Sequence, residues 1–397
     1  MSRSFRFGVL AALTGLIVLH ISHAIPMAQP RQSSPSPKSQ KLPRPQPLGR
    51  SATLERDPAT GELHSSPKET SFPPGNGAIR SRVTLVQVPC TVTAPDGTQV
   101  RGLTQDNFRL FEDGAAQEIA SFDASATPAS IALVLDVSPS IFHELAEMRG
   151  AAHSLAANLS PADEIGVVSF SSQAHLLLPF STDRALLDRA IQSKNLAGVE
   201  NSSQSNIYEA VFLTAQELFH GRSGRKAIVL LTDGQDSGLG LSWDPSSAQP
   251  LPGAPSKLAF DDVARELGAD GIALFIASTE NRPRAMTPAW LEAHQGEMLV
   301  SKNSRRQEMP HYTLYLAELA RRVGGQLYFL REIGNLSEVY RRIALSISAQ
   351  YTLGYYPSAG AARSGWRSLR VELSAGATVP PGSKLTHRGS YYVSAFP

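Results

Sequence analysis

From Ser130 to Gln350 the sequence alternates short, wholly apolar runs with segments that carry one apolar stripe, and this rhythm constrains the fold more than any other feature. Residues 131–135 are apolar at every position, as a parallel strand covered on both faces requires. Leu145, Met148, Ala152, Leu155 and Leu159 then follow at helical spacing. Residues 165–170 and 174–180 read as two further strands, an antiparallel edge pair, after which Ser181-Thr182-Asp183 caps a helix through Leu186, Leu187 and Ile191. The order continues with a helix at 207–219, a strand at 227–231, a helix at 260–267 and a strand at 272–277. A helix at 314–323, a strand at 326–330 and a helix at 336–347 complete it. Such βαβ alternation predicts an α/β architecture, a Rossmann-like, doubly wound and mostly parallel sheet between two layers of helices.

The segments on either side are different in kind. Residues 1–24 carry Arg3 and Arg6, an apolar run over 8–21 and the small residues of Ser22-His23-Ala24, the pattern of a secretory signal peptide. An uncleaved N-terminal anchor is the alternative reading, because the run is only slightly shorter than a membrane span. Residues 25–80 are crowded with Pro, Ser, Gln and Arg, show no apolar period, and are expected to be a disordered linker. Residues 81–127 and 351–397 read as short alternating strands, each set too small to bury a core alone. They are therefore expected to pair into a small β-sandwich, with the α/β domain, 128–350, inserted between them. Asp96-Gly97 predicts a type I′ hairpin turn. Cys90, the only cysteine, excludes an internal disulfide and falls on the same strand face as Val86, Val88 and Val92, where a small buried hydrophobe is expected. Two stretches, 243–256 and 281–310, interrupt the alternation and read as loops at the rim of the sheet. The formal net charge of +2 gives no field that would draw nucleic acid.

The residues that carry chemistry sit at strand ends. Asp136-Val137-Ser138-Pro139-Ser140 follows the strand at 131–135 directly, and in an open parallel sheet ligands bind at the carboxyl ends of strands where the strand order reverses. One carboxylate and two hydroxyls at alternate positions form the oxygen set that a hard cation prefers. A second buried strand ends in Thr232-Asp233-Gly234. Between the two, Ser205 immediately precedes a helix, where a hydroxyl residue serves either as helix N-cap or as ligand.

The Asp-x-Ser-x-Ser turn, Ser205 before Asn206-Ile207-Tyr208-Glu209-Ala210, and Leu231-Thr232-Asp233-Gly234 together resemble the metal-ion-dependent adhesion site of von Willebrand factor A-type domains. Val83-Thr84-Leu85-Val86-Gln87-Val88, Glu112-Asp113-Gly114, Gln350-Tyr351-Thr352-Leu353-Gly354-Tyr355-Tyr356-Pro357 and Arg388-Gly389-Ser390-Tyr391-Tyr392 further resemble the von Willebrand factor A-related proteins abundant in acidobacteria. The resemblance implies that Ser138, Ser140 and Ser205 are hydroxyl ligands and Asp136 and Asp233 acidic ligands of one Mg²⁺ ion, or Mn²⁺ or Ca²⁺ in its place. The middle hydroxyl is usually Thr in that family and is Ser205 here. The resemblance also implies a protein partner, gripped through an exposed Asp or Glu that completes the coordination, with neither nucleic acid nor, once the signal is cleaved, membrane as partner.

Two other classes compete. A phosphotransferase needs a second carboxylate two residues after Asp136, and Ser138 stands there. The chain also lacks a Gly-x-Ser-x-Gly elbow, a His-Glu-x-x-His helix and a phosphate-binding Gly-x-x-x-x-Gly-Lys loop. The expectation is a binding protein and no enzyme. The remaining alternative is an envelope scaffold in which the motif is a non-adhesive or degenerate metal site, since carboxylate–hydroxyl networks also satisfy loop backbone.

Overall fold

The computed structural model describes residues 42–49, 52–56, 63–67, 85–124, 127–139, 147–192, 196, 205–222, 224–234, 236, 241–244, 249–252, 258, 260–279, 300–302, 308–310, 312–357 and 365–393, all within the unit Lys41–Pro397. In chain order, β1 (Gln46–Pro47) and the hairpin β2 (Ala52–Arg56) and β3 (Leu63–Pro67) precede β4 (Val86–Thr93), β5 (Phe108–Glu112), β6 (Ala115–Gln117) and β7 (Ser121–Asp123). The α/β portion runs β8 (Ala129–Asp136), α1 (Met148–Ala157), β9 (Glu164–Phe170), β10 (Ala174–Ser181), α2 (Arg184–Ala190), α3 (Ile207–Leu218) and β11 (Arg225–Thr232). It continues with the hairpin β12 (Leu241–Asp244) and β13 (Gln249–Pro252), α4 (Phe260–Ala269), β14 (Ile272–Ser278), and the hairpin β15 (Val300–Lys302) and β16 (Glu308–Pro310). It closes with α5 (Tyr312–Val323), β17 (Gln326–Phe329), the short α6 (Leu330–Ile333) and α7 (Leu336–Ser348). The chain ends with β18 (Tyr351–Tyr355), β19 (Gly365–Leu373), β20 (Lys384–His387) and β21 (Ser390–Val393).

The main sheet has the order β1-β10-β9-β8-β11-β14-β17. Strands β9, β8, β11, β14 and β17 are parallel, and β10 returns antiparallel to β9 as an edge hairpin. Every residue of β8 is buried, which explains its unbroken apolar run; burying each Leu, Ile or Val there is worth about 1.5–3 kcal/mol. Two cores follow from the two faces. Leu133 and Leu135 pack with Met148 and Leu155 of α1 and with Tyr340 and Ile343 of α7. Val134 and Leu230 pack with Val211 of α3, Val263 of α4 and Leu319 of α5. The chain moves from β8 toward β9 and β10 on one side and from β11 toward β14 and β17 on the other. The order therefore reverses between β8 and β11, and the crevice at their carboxyl ends is the switch point.

Both flanks contribute to both layers of the sandwich. One sheet is β20-β4-β18-β7 and the other β21-β19-β5-β6. Leu353 pairs with Val88 and Val371 with Leu110, so neither half has a sheet without the other. Val88, Cys90, Val92, Leu110, Leu353, Tyr355 and Val371 fill the core between them. Cys90 is buried on the face expected, and burial pushes its thiol well up from the ordinary range. The α/β portion leaves from β7 and returns at β18, and these two strands pair side by side, Leu353 opposite Phe122.

Three expectations are corrected or bounded. The turn at Pro95-Asp96-Gly97 is not type I′, because only Gly97 has a positive φ, 85°, while Gly97 N–H donates to Ala94 O at 2.9 Å. Pro95 holds φ negative at the first central position, and Asp96 accepts from the Thr98 N–H at 2.9 Å. The turn with two positive φ angles lies at Asp113 (47°) and Gly114 (82°), between β5 and β6. Within the expected linker, residues 42–49 instead join the fold. β1 pairs antiparallel with β10, Leu42 and Leu48 pack against the two α/β cores, and Gly49 N–H donates to Glu217. Residues 1–24, Leu145 and most of 243–256 and 281–310 lie outside the described residues; within the two interruptions the backbone forms the hairpins β12–β13 and β15–β16. No helix among the described residues is long and apolar enough to cross a membrane.

Candidate functional site

Asp136 ends β8 with no exposed surface, since β9 and β11 flank it and helices cover both faces. A buried carboxylate needs donors, and three separate segments supply them. Oδ1 accepts from the Ser138 N–H at 3.0 Å, while Oδ2 accepts from Ser205 Oγ and from Thr232 Oγ1, each at 2.8 Å. Burial pushes the Asp136 carboxyl up from its ordinary value, and the hydrogen bonds from Ser138, Thr232 and Ser205 pull it part of the way back.

Ser205 is not the helix cap. Asn206 occupies the N-cap of α3 and makes no side-chain capping bond. The first helical N–H groups go instead to Asp236, whose Oδ1 accepts from Ile207 at 2.6 Å and Tyr208 at 3.3 Å. The Asn206 amide donates to Ser172 O and its N–H to Ser171 O, both at the end of β9. The Ser205 hydroxyl is thereby left to Asp136. On the neighbouring strand, Thr232 is followed by buried Asp233 and by Gly234, whose φ of 89° only glycine adopts readily, and the Gly234 N–H donates to Thr232 Oγ1.

Of the five residues singled out from the sequence, Asp136, Ser138 and Ser205 are joined by hydrogen bonds. Asp233 follows Thr232 at the end of the adjacent strand, and Ser140 lies outside the described residues. Sequence reasoning missed Thr232 and Asp236. The signal for Thr232 was a hydroxyl closing an otherwise apolar strand; for Asp236 it was a second acidic residue three positions past Asp233, near enough to cap a helix that has no side-chain cap of its own.

The donor set fits a hard cation. A serine that gives its proton to Asp136 keeps its lone pairs for another partner, and carboxylate and hydroxyl oxygens are the ligands that Mg²⁺, Mn²⁺ and Ca²⁺ prefer. No group of three or more His, Cys, Asp or Glu suited to a metal occurs among the described residues, so a cation held here would draw on the hydroxyls.

Residues 131–235, a segment that contains all five candidates, match the family model for the von Willebrand factor type A domain. Solved structures similar to the chain include an aerotolerance-related membrane protein from Bacteroides fragilis, at 16% identity over 55% of this chain and 98% of that one, with a TM-score of 0.38. A von Willebrand factor type A protein from Catenulispora acidiphila is similar at 11% identity over 78% and 75% of the two chains, with a TM-score of 0.38. Proximal thread matrix protein 1 from the mussel byssus, with a zinc-occupied MIDAS motif, is similar at 16% identity over 58% and 48%, with a TM-score of 0.37. The matched segment runs from β8 to just past β11, the two strands between which the strand order reverses.

Proposed function

We propose that this von Willebrand factor type A domain holds one divalent cation, Mg²⁺ in the first instance, and uses it to bind a carboxylate of a partner protein outside the cytoplasm. The observation that carries the reading is Asp136, buried at the switch point and accepting hydrogen bonds from Ser205, just before α3, and from Thr232, at the end of β11. Ser138, Ser140, Ser205, Asp136 and Asp233 would hold the ion. Bound there, the cation supplies a positive centre that an external carboxylate can complete. Two carboxylates balance a divalent charge without exceeding it, so the site keeps its appetite for one more anion. The chain's own residues do the rest: Asp136 orients the hydroxyl dipoles, and the packed strands keep water from the carboxylate's far side. The signal-like residues 1–24 support export.

Isothermal titration of the chain with Mg²⁺, Mn²⁺ and Ca²⁺ should show one site, lost in Asp136→Ala and weakened in Ser205→Ala, which removes only a hydroxyl. Partner capture from an envelope extract should fall together in EDTA and in Asp233→Ala. Capture that survives both assigns the interface elsewhere on the molecule, and an unchanged titration in both metal-site variants removes the cation from these residues.

A further inference from the structure

Beyond the five motif residues, we infer that Asp236 is a positioning residue: it holds the start of α3 from the end of β11 and thereby sets where the Ser205 hydroxyl stands. The inference rests on the proposed metal reading for its functional consequence, though its structural part does not. Asn206 provides no side-chain cap, so the first turn of α3 lacks the usual local acceptor for its N–H groups. Asp236 supplies one from across the crevice, with both Ile207 and Tyr208 donating to Oδ1. Its charge meets the positive end of a helix, and the residue is 9% exposed, so the bonds are shielded from water. The positive φ of Gly234 helps the chain turn after β11 toward the helix.

The consequence reaches Ser205 through two residues of backbone. Residues 205–208 are held at three points: Ser205 by Asp136 of β8, Asn206 by the end of β9, and Ile207 and Tyr208 by Asp236 after β11. Asp236 lies three residues after Asp233, so the same short loop carries one acidic arm of the candidate site and the clamp on its hydroxyl arm. Asp236→Asn keeps a carbonyl oxygen able to accept from the two N–H groups; Asp236→Ala does not. Supporting groups of this kind typically change metal affinity by about 10- to 100-fold when removed.

The test uses the full chain and Mn²⁺ alone as probe, with two readouts. In Asp236→Ala, Mn²⁺ affinity by titration should fall by about 10-fold or more, and amide hydrogen exchange over 205–210 in the metal-free chain should speed up. Asp236→Asn should restore most of the affinity and most of the protection. An affinity loss that Asp236→Asn fails to rescue, with exchange over 205–210 unchanged, would show that the charge acts directly and would overturn the positioning role. Unchanged affinity in Asp236→Ala would overturn it as well. If the unsubstituted chain takes up no Mn²⁺, the metal reading fails by itself, and the exchange arm still decides the clamp: faster exchange in Asp236→Ala upholds it and unchanged exchange ends it.

Discussion

Thr232→Val removes a hydroxyl while keeping the shape of the side chain, and its cost can be worked out from the contacts it deletes. Thr232 is fully buried. Its Oγ1 donates to Asp136 Oδ2 at 2.8 Å and accepts from the Gly234 N–H at 3.1 Å. A hydrogen bond to a charged group contributes about 1.5–3 kcal/mol and a neutral one about 0.5–1.5 kcal/mol. Asp136 keeps the Ser205 and Ser138 donors, so the charge is weakened in its support and not abandoned. The expected loss is about 2–4 kcal/mol, or roughly 3–6 °C in Tm for a chain of this size. Thermal unfolding followed by circular dichroism in EDTA reads this directly, because the prediction needs no cation. A cycle with Asp136→Asn sharpens it: the two substitutions should couple by about 1–2 kcal/mol, since both remove the same charged contact. A Tm drop under about 2 °C, or full additivity in the cycle, would refute the claim that Thr232 acts through Asp136.

Three further expectations follow from other parts of the fold. Gly325→Ala should cost more than about 3 kcal/mol, or prevent folding, because a Cβ there would meet Leu274 O at 1.8 Å; soluble variant with an unchanged Tm would refute it. Burial first, and then the charge of Asp270, pushes the Glu266 carboxyl up from 4.5 to about 7. A raised folded-state value favours the protonated form, so this stability is present below pH 4.5 and lost as pH rises through 7. Glu266→Gln should raise Tm at pH 8 and leave it unchanged at pH 4.5, and an equal change at both would contradict the assignment. Tyr208→Phe should leave stability level or raise it by about 1 kcal/mol, because the buried phenol has no hydrogen-bond partner among the described residues. A loss of more than that amount in urea unfolding would reveal a partner.

The fold was legible where burial dictates composition. β8 is covered on both faces, so its centre, 131–135, had to be apolar at every position, and the same holds for 227–231 of β11 and 272–277 of β14. Pairing of the flanks was legible because Val86, Val88, Cys90 and Val92 alternate, and an alternating strand without a partner sheet has nowhere to put its apolar face. The site was legible as a set of residue types, but its wiring was not. Thr232 and Asp136 are 96 positions apart and Asp236 and Ile207 are 29 apart, and nothing local to either residue announces the other. The turn at Pro95-Asp96-Gly97 differs from the expectation because Pro95 and Asp96, not Asp96 and Gly97, occupy its central positions, and the Pro95 ring holds the first central φ negative. Residues 42–49 were hidden by their surroundings: two leucines suffice to anchor a strap on a finished sheet, yet they vanish in the average of a proline-rich segment.

The pairing of β7 with β18 also sets a schedule for synthesis. When β4 to β7 have emerged from the ribosome, the strands that complete both their sheets do not yet exist, and the whole α/β portion must be translated first. At about 5–20 residues per second that interval lasts roughly 10–45 s. During it, the apolar face of β4, with Val86, Val88, Cys90 and Val92, has no sheet to cover it. The α/β portion can fold as soon as α7 is made, and by closing it delivers β18 beside β7. The sandwich thus depends on the domain inserted into it for its own assembly, and a lesion that slows folding of the α/β core should prolong the time for which the apolar face of β4 stays uncovered.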